Sequence, residues 1–176
     1  SGAGVAPTAG AFEGKKRLNQ GSLKALLLFP GCRYKQRMQE LLPQTIDRVL
    51  VTGGAGFIGG ALVRRLLKDS QVQVFNLDKL GYASDLTSIG THARHHFLRV
   101  DLTDPDATSE AVHQANPDLV LHLAAESHVD RSIDGPGAFI DSNISGTFHL
   151  LQAVRTHWEL LPAERKESFR FHHIST

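Results

Sequence analysis

The feature that most constrains the fold is the glycine-rich run Thr52-Gly-Gly-Ala-Gly-Phe-Ile-Gly59. It satisfies the spacing G-x-x-G-x-x-G through Gly53, Gly56 and Gly59, and the spacing G-x-G-x-x-G starting one residue later. An apolar, β-rich run precedes it (48–52), and apolar residues at helical spacing follow it. Glycines between a strand and a helix permit a tight turn, close approach of the backbone to a pyrophosphate, and packing of helix on sheet. The sequence therefore predicts a phosphate-binding strand–turn–helix unit.

The rest of the chain after Asp47 alternates strand-like and helix-like segments. Strands that alternate with helices pair in parallel through right-handed crossovers. We therefore expect the α/β class: a Rossmann-type, doubly wound parallel sheet with strand order 3-2-1-4-5. The first helix is predicted to bury one face that begins with Ile58. The predicted strands are 48–52, 72–77, 96–100, 119–123 and 169–174, and the predicted helices are 58–67, 104–115 and 136–158.

Two acids end predicted strands. Asp78 ends the second strand about 20 residues after the glycines, where a carboxylate can accept a hydrogen bond from the adenosine ribose of a dinucleotide. The same charge repels a 2′-phosphate, so NAD is favoured over NADP, although the neighbouring Lys79 weakens that preference slightly. Asp101 ends the third strand at the same edge, and either an adenine contact or a turn or helix-capping role fits it.

Composition excludes several classes of partner. The chain has 19 Lys and Arg against 18 Asp and Glu, so no strong field favours nucleic acid or an anionic membrane. No run approaches the roughly 18 apolar residues of a membrane span. The single cysteine, Cys32, excludes an intramolecular disulfide and a cysteine-rich metal site. The pairs His95-His96 and His172-His173 point to opposite faces of their strands, so neither pair chelates a metal and we expect no metal site.

The composition changes near residue 45. Residues 1–37 hold seven Lys or Arg and a single acid, so we interpret 1–45 as an extension and 46–176 as the NAD-binding domain. Three explanations stay open for the extension: a disordered tail, upstream sequence that precedes a true start at Met38, or an organellar transit peptide. The apolar run 25–29 is shorter than the ~7–15 residues of a secretion signal, so we expect a cytoplasmic protein.

Further along, the residues resemble a known family. Leu123-Ala-Ala-Glu-Ser-His-Val-Asp-Arg-Ser132 is similar to the fourth-strand signature of dTDP-glucose 4,6-dehydratases, in the extended short-chain dehydrogenase/reductase group. Asp78-Lys-Leu-Gly-Tyr-Ala83 resembles the family's D-K-L-x-Y-A segment, and Asn143-Ile-Ser-Gly-Thr147 and Phe169–Thr176 resemble its next helix and strand. The glycine run is shared by the whole group, whereas S-H-V-D-R-S is more specific to the dehydratases.

The resemblance implies NAD-dependent dehydration of dTDP-glucose to dTDP-4-keto-6-deoxyglucose, in which a hydride passes from C4 to NAD and back to C6. It also implies a homodimer formed through helix 136–158 when the enzyme is intact. Ser127 would lie near the sugar, and Thr176 would be the active-site hydroxyl near C4. The residues that the resemblance places at NAD are Gly53, Gly56, Phe57, Ile58, Gly59, Asp78, Lys79, Leu80, Gly81, Asp101, Leu102, Leu123, Ala124, Ala125 and Ser142.

The family pattern continues after Ser-Thr with an Asp-Glu pair and a later Tyr-x-x-x-Lys. The tyrosines of this chain, Tyr34 and Tyr82, are followed at the fourth position by Met38 and Leu86. We therefore expect residues 1–176 alone to have no turnover. Two alternatives stay open: an NAD-dependent nucleotide-sugar epimerase or decarboxylase, which should lack S-H-V-D-R-S, and a non-catalytic NAD-binding module.

Overall fold

The computed structural model describes residues 46–82, 84–127 and 136–174. The predicted extension (1–45), the residues of S-H-V-D-R-S after Ser127, and Thr176 lie outside these ranges. The division of the chain at residue 45 stays a prediction.

The described residues form one five-stranded parallel sheet. The strands are β1 Arg48–Thr52, β2 Gln73–Asp78, β3 His95–Arg99, β4 Leu119–His122 and β5 Arg170–His173. Their order in the sheet is β3-β2-β1-β4-β5, and every neighbouring pair is parallel. The central strand β1 has Val49, Leu50 and Val51 fully buried, as expected for a strand covered on both faces. The predicted α/β class and the order 3-2-1-4-5 are confirmed.

Helices lie between consecutive strands except between β2 and β3, where the described residues form turns and irregular backbone. The predicted helix 136–158 is present, but a π-helical turn interrupts it, and the short polar helix Ala163–Ser168 was not predicted. Asp104 is the N-cap of the helix Pro105–Ala115, because its side chain accepts hydrogen bonds from the backbone N–H groups of Asp106 and Ala107. No helix in the described part of the chain is long and apolar enough to cross a membrane. The helices are α1 Phe57–Asp69, α2 Pro105–Ala115, α3 Pro136–Ile140, the π-helical turn Asp141–Ser145, α4 Gly146–Leu160 and α5 Ala163–Ser168.

The sheet is covered on both faces, which makes the fold doubly wound. Val49 and Val51 of β1 pack in one buried cluster with Val63 of α1. Leu50, between them, points to the opposite face and packs in a second cluster that includes Leu150 of α4. The alternation along a single strand therefore divides the core into two layers.

Some apolar helix residues are exposed. The prediction that Ile58 begins a buried face was wrong: it is 68% exposed, because it lies in the first turn of α1, beyond the end of β1. Ile140, Ile144, Phe148 and Leu151 are also exposed, on the side of the long helix that does not pack on the core. The buried face of α4 carries Leu150 and Val154 instead.

Asp118 fastens the edge of the sheet where the strands begin. It is buried, and its Oδ2 accepts from the backbone N–H groups of Asp47 and Arg48, each at 3.0 Å. Its Oδ1 accepts from Nε of Arg165 in α5 at 2.9 Å. One carboxylate thus joins β1, β4 and α5 at the edge opposite the glycine turn.

Candidate functional site

The strands end at a common edge, called here the carboxyl edge, and the glycine turn lies there. Gly53 has φ +72°, in the left-handed region that favours glycine. Its N–H donates to the carbonyl oxygen of Leu77 at 2.8 Å, and a Cβ on it would lie 2.7–2.9 Å from backbone atoms of Leu123 and Ala124. The turn is therefore held between the ends of β2 and β4, with no room for a side chain.

Two further glycines are required by packing. A Cβ on Gly54 would collide with the amide of Asn76, a fully buried residue of β2. A Cβ on Gly59 would collide with the carbonyl oxygen of Gly53. These glycines bring the first turn of α1 directly against the glycine turn.

The N-terminus of α1 is uncapped. Its N-cap, Gly56, makes no side-chain capping hydrogen bond, and the first helical turn has no acidic residue. Phe57 and Ile58 are 95% and 68% exposed. The unpaired backbone N–H groups and the positive end of the helix dipole therefore face solvent, an arrangement that suits an anion.

Asp78 holds the backbone of this site through hydrogen bonds and has an acceptor position left for a ligand. It is buried; its Oδ2 accepts from the N–H of Ala55 at 3.0 Å, and its Oδ1 accepts from the N–H of Leu80 at 2.8 Å and from Oγ of Ser84 at 3.2 Å. A carboxylate offers about four acceptor positions. Within the described residues three are used, so one remains on Oδ2 for a hydroxyl donor.

Lys79 reaches across the carboxyl edge. Its Nζ lies 2.9 Å from Glu126 Oε1, 3.3 Å from Ser142 Oγ and 4.0 Å from Asp101 Oδ2. Burial lowers the pKa of Lys79, but the hydrogen bond to Glu126 and the surrounding carboxylates outweigh burial and leave this pKa raised. Lys79 is therefore a firmly charged cation among acids. The sequence had assigned its partners Asp101 and Ser142 to the site, but not Glu126.

The backbone of Glu126 is fixed by Asn143. The N–H of Glu126 donates to Asn143 Oδ1 at 2.8 Å, and Asn143 Nδ2 donates to the carbonyl oxygen of Glu126 at 3.0 Å. Asn143 lies in the π-helical turn, a distortion often found at functional sites. This pair of hydrogen bonds holds the peptide that leads into the exposed Ser127.

A buried histidine links three elements beneath the edge. His122 Nδ1 lies 2.6 Å from Thr52 Oγ1, and its Nε2 lies 3.0 Å from Thr147 Oγ1. Burial, with a smaller effect of nearby His173, lowers the pKa of His122 to about 4. The imidazole is therefore neutral and joins β1, β4 and α4. His122 was not among the residues predicted from the sequence, where its signal is a single polar residue at the end of the apolar run Leu119–His122.

The structure gathers nearly all of the described site residues at the carboxyl edge. Ala125 and Ser127 are exposed there, just beyond β4, and Leu123 and Ala124 are half-buried. Leu102 differs, because its side chain is buried in the core cluster that includes α4. Thr176 lies outside the described residues.

The strand order, the uncapped helix behind a glycine turn and the acid that ends β2 define the class: a Rossmann-type protein with a dinucleotide-type phosphate turn. Comparison with known proteins makes this more specific. The family model described as GDP-mannose 4,6 dehydratase matches residues 50–176, and the chain belongs to this family.

Several curated relatives are dTDP-glucose 4,6-dehydratases. The chain is 54% identical to dTDP-glucose 4,6-dehydratase of Shigella flexneri over 132 residues, which cover 73% of this chain and 37% of that protein. It is 52% identical to dTDP-glucose 4,6-dehydratase 1 of Escherichia coli K12, with the same shares covered. The resemblance stated from the sequence is confirmed. The chain spans little more than a third of the length of these relatives.

Solved structures share the fold. A dTDP-glucose 4,6-dehydratase from Streptomyces venezuelae, solved with NAD bound, matches with a TM-score of 0.58 and 38% identity, over 62% of this chain and 36% of that chain. A UDP-glucose 4-epimerase from Thermus thermophilus, in complex with NAD, matches with a TM-score of 0.57 and 36% identity, over 62% and 34%. The fold alone therefore does not separate dehydratases from epimerases.

Proposed function

We propose that this chain forms the NAD-binding part of a nucleotide-sugar 4,6-dehydratase, which converts dTDP-glucose to dTDP-4-keto-6-deoxyglucose. The observation that carries the proposal is the uncapped N-terminus of α1, which directly follows the glycine turn. Asp78 holds this turn in place by accepting a hydrogen bond from the N–H of Ala55. The curated dehydratases, more than 50% identical, supply the reaction. NAD, when bound, supplies the hydride acceptor and donor of a redox-neutral dehydration.

The residues present fit NAD. Gly56 has no side chain to fill the space in front of the α1 N-terminus, so a pyrophosphate can approach the backbone N–H groups there. The remaining acceptor position on Asp78 suits one hydroxyl of the adenosine ribose. A 2′-phosphate at that hydroxyl would bring negative charge against the Asp78 carboxylate, which favours NAD over NADP.

The other predicted site residues have proposed roles along the same edge. Asp101 would border the adenine, with Leu102 contributing backbone rather than its buried side chain. Ser142 would contact the cofactor and Ser127 the sugar, and Thr176 would be the hydroxyl near C4. The remaining proposed cofactor contacts are Phe57, Ile58, Lys79, Leu80, Gly81, Leu123, Ala124 and Ala125.

The chain's own residues bind and orient rather than transfer protons. Its sequence contains no Tyr-x-x-x-Lys, and Thr176 is the one member of the reacting set that the resemblance assigns to it. We therefore expect residues 1–176 to bind NAD and to convert no sugar nucleotide. For the intact enzyme we infer a cytoplasmic homodimer; the exposed apolar side of the long helix, with Ile144 and Phe148, supports the dimer surface.

The test is a calorimetric titration of residues 1–176 with NAD, followed by dTDP-glucose and UDP-glucose in saturating NAD. We expect saturable NAD binding, and any sugar-nucleotide binding to favour dTDP-glucose. Preference for UDP-glucose would favour the epimerase alternative, since the chain is also similar to the UDP-glucose 4-epimerase of Thermus thermophilus. NAD binding with no sugar nucleotide bound would agree both with the NAD-binding part of a dehydratase and with the non-catalytic module, and absence of NAD binding would overturn the proposal.

A further inference from the structure

The two residues at the end of β2 have opposite effects on the choice between NAD and NADP. Asp78 repels a 2′-phosphate, but Lys79 follows it directly, and a basic side chain near this position is what accommodates the 2′-phosphate of NADP. A lysine side chain is long enough to reach a phosphate on the ribose held by its neighbour. With Lys79 unengaged, the discrimination by Asp78 would be partly cancelled.

The structure shows where this cation is directed. Lys79 Nζ forms an ion pair with Glu126 at 2.9 Å, and a weaker one with Asp101 at 4.0 Å. The side chains of Lys79 and Glu126 are 37% and 27% exposed, so the closer pair is partly shielded from water. Ser142 Oγ accepts a further hydrogen bond from Nζ at 3.3 Å. Lys79 is thus held toward β4 and the π-helical turn.

Ion pairs between two mobile surface side chains contribute little, because ordering both has an entropic cost. Glu126 is different, since Asn143 fixes its backbone through both the N–H and the carbonyl oxygen. Its carboxylate therefore starts from a fixed peptide, and less entropy is lost when it pairs with Lys79.

The local charge adds to the effect. Asp78, Asp101 and Glu126 surround Lys79, and all three carboxylates act to raise its pKa. Three carboxylates against one ammonium leave this group net negative. A phosphate monoester carries a charge of about −1.5 to −2 at neutral pH, so a 2′-phosphate enters an unfavourable field while the lysine is engaged elsewhere.

We propose that Glu126 is a specificity-determining residue, which holds Lys79 away from the position of a 2′-phosphate and so makes the site selective for dinucleotides with a free 2′-hydroxyl. The inference rests on the proposed function, because it requires that a dinucleotide binds at this edge. It adds a second determinant, 48 residues after Asp78 in the sequence, to the acid at the end of β2.

The test compares the affinities of the chain for NAD and NADP, measured by titration in the same low-salt buffer. Glu126→Gln removes the charge but keeps the size and both backbone hydrogen bonds to Asn143. We expect the affinity for NADP relative to NAD to rise about tenfold. Glu110→Gln, an equal change of charge at an exposed position of α2, should leave the ratio unchanged.

A double variant separates the freed lysine from a general change of field. In Glu126→Gln with Lys79→Met the gain for NADP should disappear, because no cation remains to meet the phosphate. Asp101→Asn should raise the affinity for NADP relative to NAD as well, but by less than Glu126→Gln. If thermal unfolding shows that Glu126→Gln is not folded, Asp101→Asn takes its place in the test.

The outcomes are distinguishable. If the unsubstituted chain binds neither dinucleotide, the proposed function fails and this inference fails with it. If the unsubstituted chain binds NAD but folded Glu126→Gln keeps the original ratio, or if the gain persists without Lys79, only the inference is overturned.

Discussion

The proposal that the fold holds the buried His122 neutral is tested most directly by measuring the free energy of unfolding as the pH is lowered. Its pKa is about 4 in the folded chain, against 6.5 for a free histidine. Because the pKa is depressed on folding, the unfolded chain takes up a proton below pH 6.5 that the folded chain does not. His122 therefore costs no stability above pH 6.5, and the free energy of unfolding falls as the pH decreases from 6.5 toward 4.

The magnitude follows from this difference in pKa. Each unit corresponds to 1.36 kcal/mol, so the loss between pH 7.5 and pH 4.5 is on the order of 2 to 3 kcal/mol from this residue alone. His122 is fully buried, so solvent screening does not reduce the effect greatly. A loss of this size is a large fraction of the stability of an ordinary domain.

The assay is urea unfolding at pH 7.5, 6.5, 5.5 and 4.5, on the unsubstituted chain and on His122→Gln. Glutamine does not titrate, and its amide can still reach Thr147. We expect the variant to be less stable at pH 7.5 by about 1–3 kcal/mol, through the lost hydrogen bond to Thr52, but to lose less stability on acidification. His113→Gln, at an exposed position, is the matched control and should follow the unsubstituted chain.

The comparison is selective for His122, because the other titratable groups are present in both proteins and nearby His173 has the smaller effect on the pKa of His122. Burial also lowers the pKa values of His95 and His157, and those contributions cancel in the difference. Parallel pH dependence in the unsubstituted chain and His122→Gln would refute the reasoning, since it would mean that His122 is not held neutral by the fold.

Two further predictions separate the site from the scaffold. Gly59→Ala should abolish NAD binding, because its Cβ collides with the carbonyl oxygen of Gly53, whereas Gly137→Ala, whose Cβ meets nothing within 4 Å, should bind NAD normally in the same titration. Asp118→Ala should lower the free energy of unfolding by about 2–4 kcal/mol, because two backbone N–H groups and Arg165 lose a buried partner. Its NAD affinity should be unchanged, and a change would mean that the two edges of the sheet are coupled.

The strand order and the nature of the phosphate turn could be predicted from residues close together in the chain. The glycine spacing, the apolar alternation of β1 and the acid at the end of β2 are local signals, because φ preferences and side-chain periodicity act over a few residues. The α1 face was predicted incorrectly at Ile58, since helical periodicity does not reveal where the sheet beneath it ends. The π-helical turn and the short polar α5 have no period that separates them from a continuous helix or a loop.

Tertiary structure alone decided the partners of the polar side chains. Thr52 and His122 are 70 residues apart, and Arg165 and Asp118 are 47 apart, yet each pair is within hydrogen-bonding distance. The preference of Lys79 for Glu126 likewise depends on the ends of β2 and β4 meeting at one edge. The sequence by itself determined the five strands, the three longer helices and the presence of a dinucleotide-type turn between a strand and a helix. Which charges and hydrogen bonds surround that turn was decided by the packing of distant segments, because an ion pair or hydrogen bond depends on distance in space and not on separation along the chain.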